Sequence, residues 1–393
     1  MKPLRLKAMT ATSALGHGLA AHRAALEQGR SGLSQQPFES CRLPCWTGEV
    51  AGLDASLAGA WAEWDCRNNR LSTLALAQDG FRAAVAAAVQ RHGVARIGVF
   101  VGTSTSGMLS TEHAYQAIDP QSGRLPASYN YRTTHNPHAA AEFVRLQLGL
   151  KGPALAICTA CSSSAKVFAA ASRALDAGWC DAAVVGGVDS LCQTTLYGFN
   201  SLQLIDADIC RPADARRKGI SIGEAAGFAL LEREAQPGEL ALLGYGESSD
   251  AYHMSAPDPE GRGAQQAMRD ALARAGLRAD EIGYINLHGT ATPANDASED
   301  QAVMGVFGAQ TPCSSTKGYT GHTLGAAGIL EAVIAALAVE HGILPGSITT
   351  REKDPAIRGN ILLQPRRTTI RAALSNSFGF GGNNASLILG RVA

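Results

Sequence analysis

The 393-residue sequence predicts a layered α/β protein made of two comparable halves. Three observations lead there. Strand-like apolar runs alternate with helical ones, the pattern of sheets covered by helices. At about 100–200 residues per domain, the length suits two domains or one double domain. A turn-forming segment, Ala235-Gln236-Pro237-Gly238-Glu239, falls where one series of runs ends and the next begins. We therefore divide the chain into a first half, residues 1–238, and a second half, residues 239–393.

In the first half, Ile97-Gly98-Val99-Phe100-Val101-Gly102 reads as a buried strand that ends in a polar loop, 103–107. Ala154-Leu155-Ala156-Ile157 reads as a second strand. An Ala-rich stretch with helical spacing, 162–177, follows it, and 182–187 forms a third strand. The second half repeats the logic with a helix over 264–275, a strand over 283–287 and a long helix over 324–340. Strands over 372–377 and 385–389, joined by a Gly-rich turn, close the chain.

Composition narrows the function. Lys plus Arg is 34 and Asp plus Glu is 34, so neither a nucleic-acid footprint nor a polybasic membrane patch is expected. Charged residues are 17% and hydrophobic residues 46%, the opposite of a disordered chain. The longest apolar stretch, 324–339, carries Glu331 at its centre, which points to a buried helix, because a carboxylate is expensive at bilayer depth. The basic start, Met1 to Lys7, lacks a signal-peptide core, so a cytoplasmic protein is expected. Nine cysteines, an odd number in a long chain, read as reduced thiols.

Four motifs carry chemistry. Cys158-Thr159-Ala160-Cys161-Ser162-Ser163-Ser164 lies between a strand and a helix. A nucleophile there projects from the sheet, and the helix N-terminus favours thiolate over thiol. Against this stand a structural cysteine and a Cys158–Cys161 redox pair. His288 ends the run Tyr284-Ile285-Asn286-Leu287-His288-Gly289-Thr290, and His322 sits with Lys317 in a Gly-bracketed loop, Lys317 to Gly325. A His, a Lys and glycines in one loop suit an anion or a polarised carbonyl. Asp296, Glu299 and Glu331 are candidate carboxylate partners, or plain helix and solvent charges. Ser375-Asn376-Ser377-Phe378-Gly379-Phe380-Gly381-Gly382-Asn383-Asn384 is either a hairpin turn or a loop whose backbone N–H groups face a reacting carbonyl.

In this order and spacing the motifs resemble the decarboxylating β-ketoacyl-acyl-carrier-protein synthases, the elongating condensing enzymes of the thiolase superfamily. Thr159 to Ser163 matches the nucleophile motif, His288 to Asp296 the first histidine motif, Lys317 to Gly328 the lysine–histidine motif and Phe378 to Asn384 the glycine loop. Weaker matches are Thr12 to Gly16, Gly223 to Gly227 and Ser248 to His253. The resemblance implies a thiolase-like fold in five layers, α-β-α-β-α, and a dimer across the sheet edge of the first half. It implies acyl carrier protein as partner, and a homodimer or a heterodimer with a ketosynthase-like chain-length factor. It implies no metal and no redox cofactor, the substrates riding on phosphopantetheine. Cys161 would carry the acyl group. His288 and His322 would stabilise the enolate of malonyl-acyl-carrier protein, and Lys317 would tune His322. The N–H groups of Cys161 and Phe380 would form the oxyanion hole, with Phe380 also gating the acyl pocket. Glu299, Glu331, Asp296 and Phe378 would support the histidine loops.

Some positions depart from the family pattern. Lys166 stands where a histidine is frequent, Asn383 replaces a common threonine, and Ala225 replaces a glycine. These point to a branch away from housekeeping fatty-acid elongation, such as a secondary-metabolite or polyene pathway. The alternatives are a degradative thiolase, which needs a second cysteine in the glycine loop, and a non-catalytic chain-length-factor-like subunit, which would lose the nucleophile. An initiating synthase would place Asn at His322, and a cysteine hydrolase would need only one imidazole.

Overall fold

The computed structural model describes residues 1–393. Ten main strands form two sets of five. The first set is β1 (Leu4–Ser13), β2 (Ile97–Gly102), β3 (Ala154–Ile157), β4 (Ala182–Asp189) and β5 (Ala225–Glu232). The second is β6 (Leu240–Ser249), β7 (Tyr284–Asn286), β8 (Pro312–Ser314), β9 (Ala372–Gly379) and β10 (Asn383–Arg391). Across the sheet the first set runs β3-β2-β4-β5-β1 and the second β8-β7-β9-β10-β6. The order is the same in both. In each set the second strand is parallel to the third and fourth, and the fifth is antiparallel to the fourth and first. The halves touch where β1 pairs with β6 over only Leu4↔Leu242 and Arg5↔Ala241.

Helices fill the layers. On the outer face of the first set lie α1 (Arg67–Leu76), α2 (Phe81–His92) and α3 (Pro137–Gln147), with their own apolar cluster. Two helices share the central layer, α4 (Ser163–Asp176) and, against both strand sets, α7 (Ala327–His341). The outer face of the second set carries α5 (Arg262–Ala275) and α6 (Pro293–Phe307). The result is the thiolase-like five-layered arrangement. α7 is buried from Ala327 to Val339, including Glu331, so its apolar character serves the interior. The strands β2 and β3 fall at the expected residues, and α4 is shorter than expected by one residue at each end.

Small residues let the two central helices approach. A Cβ at Gly328 on α7 would lie 2.3 Å from the Ala165 backbone nitrogen on α4 and 2.8 Å from its Cβ. Overpacking of this kind costs about 1–3 kcal/mol. Gly328→Val should therefore lower the stability measured by urea unfolding by at least that amount, whereas Gly149→Ala, at a turn with nothing nearby, should lose only its left-handed backbone preference.

Candidate active site

Cys161 sits on a sharp turn between β3 and α4. Ala160, just before it, has φ +51°, a left-handed conformation that costs a residue with a side chain. The turn is clamped by its own hydroxyls: Ser162 Oγ donates to the Thr159 carbonyl at 2.8 Å and Ser163 Oγ to the Ala160 carbonyl at 2.6 Å. The glycine loop lies directly over the turn. A Cβ at Gly379 would be 2.7 Å from the Thr159 carbonyl oxygen and 3.1 Å from the Cys161 nitrogen, so only glycine fits. That loop is both a hairpin turn, joining β9 to β10, and a wall of the site.

The second half brings the imidazoles. His288 follows β7, and its N–H and that of Gly289 donate to Glu299 at 2.8 and 2.7 Å, with Asn376 Nδ2 on the same carboxylate at 3.1 Å. Glu299 lies buried on α6 and holds the His288 loop by its backbone. Asp296, one turn earlier, accepts from the N–H groups of Ala213 at 2.8 Å and Ala291 at 3.1 Å. Both carboxylates are therefore buried anchors and not solvated charges. His322 is held through its main chain: its N–H donates to the Ser221 carbonyl at 2.7 Å. Gly321 before it has φ +73° and packs on the Gly223 nitrogen, which a Cβ would approach to 2.7 Å.

The three groups converge. His322 Nε2 is 3.0 Å from Cys161 Sγ, and the two imidazoles meet edge to face with centroids 5.2 Å apart. One ligand atom from each of Cys161, His288 and His322 falls within 4.8 Å of the others. Such a triangle can seat a metal ion or a carbonyl oxygen. Behind it Lys317 Nζ pairs with Glu331 Oε1 at 2.5 Å, both side chains buried, and that cation favours an oxygen that turns anionic over a second cation. Phe378 packs against His288 with centroids 5.9 Å apart.

Burial sets the protonation states. It drives both imidazoles well below the ordinary 6.5, and the Lys317 charge pushes the same way, so both are neutral. It raises the Cys161 thiol to about 12, although Lys317 pulls it down. The resting group is thus a thiol, contrary to the expectation from the helix end alone. Burial also lifts Glu299 and Glu331 to about 7, offset by the N–H groups of Gly289 and His288 for the first and by Lys317 for the second. Cys158 is exposed and Cys161 buried, and the two are unbonded in this structure.

A cavity of about 330 Å³ opens onto the triangle, lined among others by Phe199, Leu204, Ile220, Thr290, Pro293 and Phe380. Two anchors lay outside the motifs considered as chemistry. Asp189, at the end of β4, accepts from the N–H groups of Ser104 and Thr105 at 2.8 Å and of Gly325 at 2.5 Å, tying the loop after β2 to the His322 loop. Its signal was an acid ending an otherwise apolar run. Asp250 accepts from Asn384 Nδ2 at 2.6 Å and its N–H donates to the Gly382 carbonyl at 2.9 Å, bracing the glycine loop.

Comparison with known proteins defines the class. Residues 70–236 match the family described as Beta-ketoacyl synthase, N-terminal domain, and residues 240–351 match Beta-ketoacyl synthase, C-terminal domain. The chain belongs to the beta-ketoacyl synthase family, and it is a condensing acyltransferase. It is 37% identical over 308 residues to Nodulation protein E of Rhizobium meliloti, covering 76% of each chain. It is 33% identical over 309 residues to 3-oxoacyl-[acyl-carrier-protein] synthase 2 of Staphylococcus aureus, covering 75% of this chain and 76% of that one. Among solved structures it is similar to the ketosynthase ApeO from Xenorhabdus doucetiae, solved in complex with its chain length factor ApeC, with TM-score 0.91 and 40% identity over 100% of this chain and 98% of that one.

The neutral imidazoles make stability pH-dependent. Their folded pKa lies below the unfolded value of 6.5, so unfolding takes up protons and stability falls as pH drops through 6.5. The raised Glu299 and Glu331 act in the opposite sense, adding stability as pH falls from about 7 toward their ordinary 4.5. A His288→Gln, His322→Gln double variant removes only the first effect. Urea midpoints between about pH 7.5 and 5.5 should therefore show the variant gaining stability relative to the parent chain at the acid end, by up to about 1.4 kcal/mol per pH unit per histidine.

Proposed function

We propose that the site runs a two-stage condensation on phosphopantetheine thioesters of acyl carrier protein. In the first stage Cys161 Sγ attacks the acyl carbonyl while its proton passes to His322 Nε2. The carbon–sulfur bond to pantetheine then breaks, and the departing sulfur takes that proton. The developing oxyanion rests on the N–H groups of Cys161 and Phe380. In the second stage the malonyl thioester oxygen lies between the Nε2–H groups of His288 and His322. The bond to the carboxylate breaks, carbon dioxide leaves and the electron pair becomes an enolate. Its carbon attacks the acyl group, the bond to Cys161 breaks, and the departing thiolate takes up the one proton the condensation consumes, which comes from solvent water. Lys317 favours the enolate charge, Glu299 and Asp296 position the His288 loop, and Glu331 positions Lys317.

The observation that carries this reading is the 3.0 Å contact between His322 Nε2 and Cys161 Sγ, with a second imidazole beside it. Neither Nδ1 has a hydrogen-bond partner, so no neighbour pins the tautomer. His322 Nε2 is then free to accept in the first stage and, once the ring proton has exchanged through water from Nδ1 to Nε2, to donate in the second. A non-catalytic chain-length-factor role is disfavoured, since Cys161, His288, His322 and Lys317 are all present.

The partner chain, a second copy or a chain-length factor, is placed by this reading on β3. That strand ends the sheet, and Leu155 on it is 42% exposed. An open edge carrying an apolar side chain invites another strand. The ketosynthase ApeO, solved with a chain length factor, supports this kind of assembly. Pathway and chain length follow from the pocket that the two chains enclose, and the departures at Lys166, Asn383 and Ala225 favour a secondary-metabolite role.

Two assays, transfer of a radiolabelled acyl group and release of carbon dioxide from malonyl-acyl-carrier protein, test the mechanism. Cys161→Ala should form no acyl-enzyme yet still release carbon dioxide. His288 makes no hydrogen bond to the thiol, so His288→Ala should still accept acyl groups while decarboxylation falls about a hundredfold to a thousandfold. His322→Ala should impair both stages. Full decarboxylation by His288→Ala would refute its role.

The assembly has its own test. Light scattering should give about twice the 40.8 kDa chain mass, for the isolated protein or for its complex with a partner chain. Leu155→Lys should shift that species to monomer and slow condensation together.

A further inference from the structure

Lys166 is half-buried on α4, five residues past Cys161, and no carboxylate pairs with it. The acid whose charge reaches it, Glu247, is taken by Arg173, whose Nη1 donates to Glu247 Oε2 at 2.5 Å. A partly desolvated ammonium needs a hydrogen-bond partner. It finds one across the chain: Lys166 Nζ donates to Asn383 Oδ1 at 3.2 Å. An ammonium only donates, so it turns the amide oxygen of Asn383 toward itself. The amide nitrogen is then left facing the glycine loop, where Nδ2 makes a long contact of 3.5 Å to the Phe380 carbonyl. The same nitrogen lies where a Cβ at Gly381 would meet it at 3.2 Å, against the left-handed residue at which the loop bends. The Phe380 ring in turn stacks near Phe199, with centroids 5.6 Å apart, on the wall of the cavity.

We propose that Lys166 and Asn383 form a latch that fixes the resting position of Phe380 and so sets how readily an acyl chain reaches Cys161. Both are positioning residues: neither touches the reacting atoms. The latch joins the helix that carries the nucleophile to the loop that closes over it. The inference rests on the ketosynthase reading of the site.

The test is acyl transfer to Cys161 from butanoyl- and decanoyl-acyl-carrier protein, followed by intact mass, for the parent chain, Lys166→Met, Asn383→Ala, the double variant and Lys166→Arg. A free loop opens more easily, so each single variant should raise the decanoyl-to-butanoyl rate ratio by about tenfold, the scale of one charge-assisted hydrogen bond. The double variant should change it no further, because both substitutions break one latch. Lys166→Arg should restore the parent ratio, and melting temperature should not track the ratio. A ratio unchanged in both single variants, or effects that add in the double variant, would overturn the latch while leaving the ketosynthase reading intact. A parent chain that forms no acyl-enzyme at all would overturn that reading and the latch with it.

Discussion

The site depends on one buried ion pair. Lys317 and Glu331 are withdrawn from water to 1% and 2% exposure and joined at 2.5 Å. Removing two charges from water costs several kcal/mol for each, so a pair like this is weak ground for stability. Its effect lies in the field it makes. The cation stands behind both imidazoles, helps keep them neutral and lowers the thiol, and it favours any negative charge that forms on an oxygen in front of them. Glu331 Oε2 has no hydrogen-bond partner, so the carboxylate is held mainly by Lys317 itself. Loss of either member would strand the other, at a cost of about 3–5 kcal/mol. The anchor of this arrangement is α7, the helix shared by both strand sets, which ties the charge of the site to the central layer of the fold.

The repeat of the fold explains how residues so far apart in sequence meet. Cys161 follows the third strand of the first set, and Lys317 follows the third strand of the second. The helices that come next, α4 and α7, occupy equivalent places and pack side by side in the central layer. His288 follows the second strand of its set, while the loop with Ser104 and Thr105 follows the second strand of the other. Asp189 instead ties the loop after β2 in the first set to the His322 loop, which follows β8 in the second, with N–H groups from Ser104 and Thr105 on one side and Gly325 on the other. With the same strand order, one set places Cys161 and the other places His288, His322 and Lys317, so under the proposed mechanism one set supplies the nucleophile and the other the imidazoles and the charge.

The elements legible in the sequence were those whose local pattern agrees with their burial. The Val- and Ile-bearing strands β2 and β3, and the Ala-rich helix α4, are of this kind. Missed strands were β1, β5, β6 and β8. β5 begins Ala225-Ala226-Gly227 and β6 contains Gly244 and Gly246, residues with little intrinsic strand preference. Tertiary packing selects them: a Cβ at Gly246 would lie 1.8 Å from the Ala267 carbonyl on α5, so the close helix contact demands a residue that propensity would reject. At the site, Cys161, His288, Lys317 and His322 were legible because motif and chemistry coincide. Asp189 was not, because its role comes only from N–H and hydroxyl groups 84 to 136 residues away. Nor could spacing alone show that Asp296 and Glu299 are buried anchors, since solvated helix carboxylates share that spacing.

The thiol shows how two true physical effects are ranked by burial. The start of α4 stabilises an anion, but such helix ends supply about 0.3–1 kcal/mol, and up to about 2 in favourable partly buried sites. Full burial of Cys161 raises it from 9.0 to about 12, although Lys317 pulls it down. A shift of one pH unit corresponds to about 1.4 kcal/mol, so desolvation outweighs the helix end. The consequence reaches the mechanism. A resting thiolate would need no base, whereas a resting thiol needs a proton acceptor within hydrogen-bond reach, and His322 Nε2 at 3.0 Å is that acceptor. Because burial also makes His322 a weak base, the proton moves only as the carbon–sulfur bond forms. Under the proposed mechanism the site therefore keeps its nucleophile protonated until a thioester enters the cavity, and the imidazole that would later stabilise the enolate is uncharged when the malonyl group arrives.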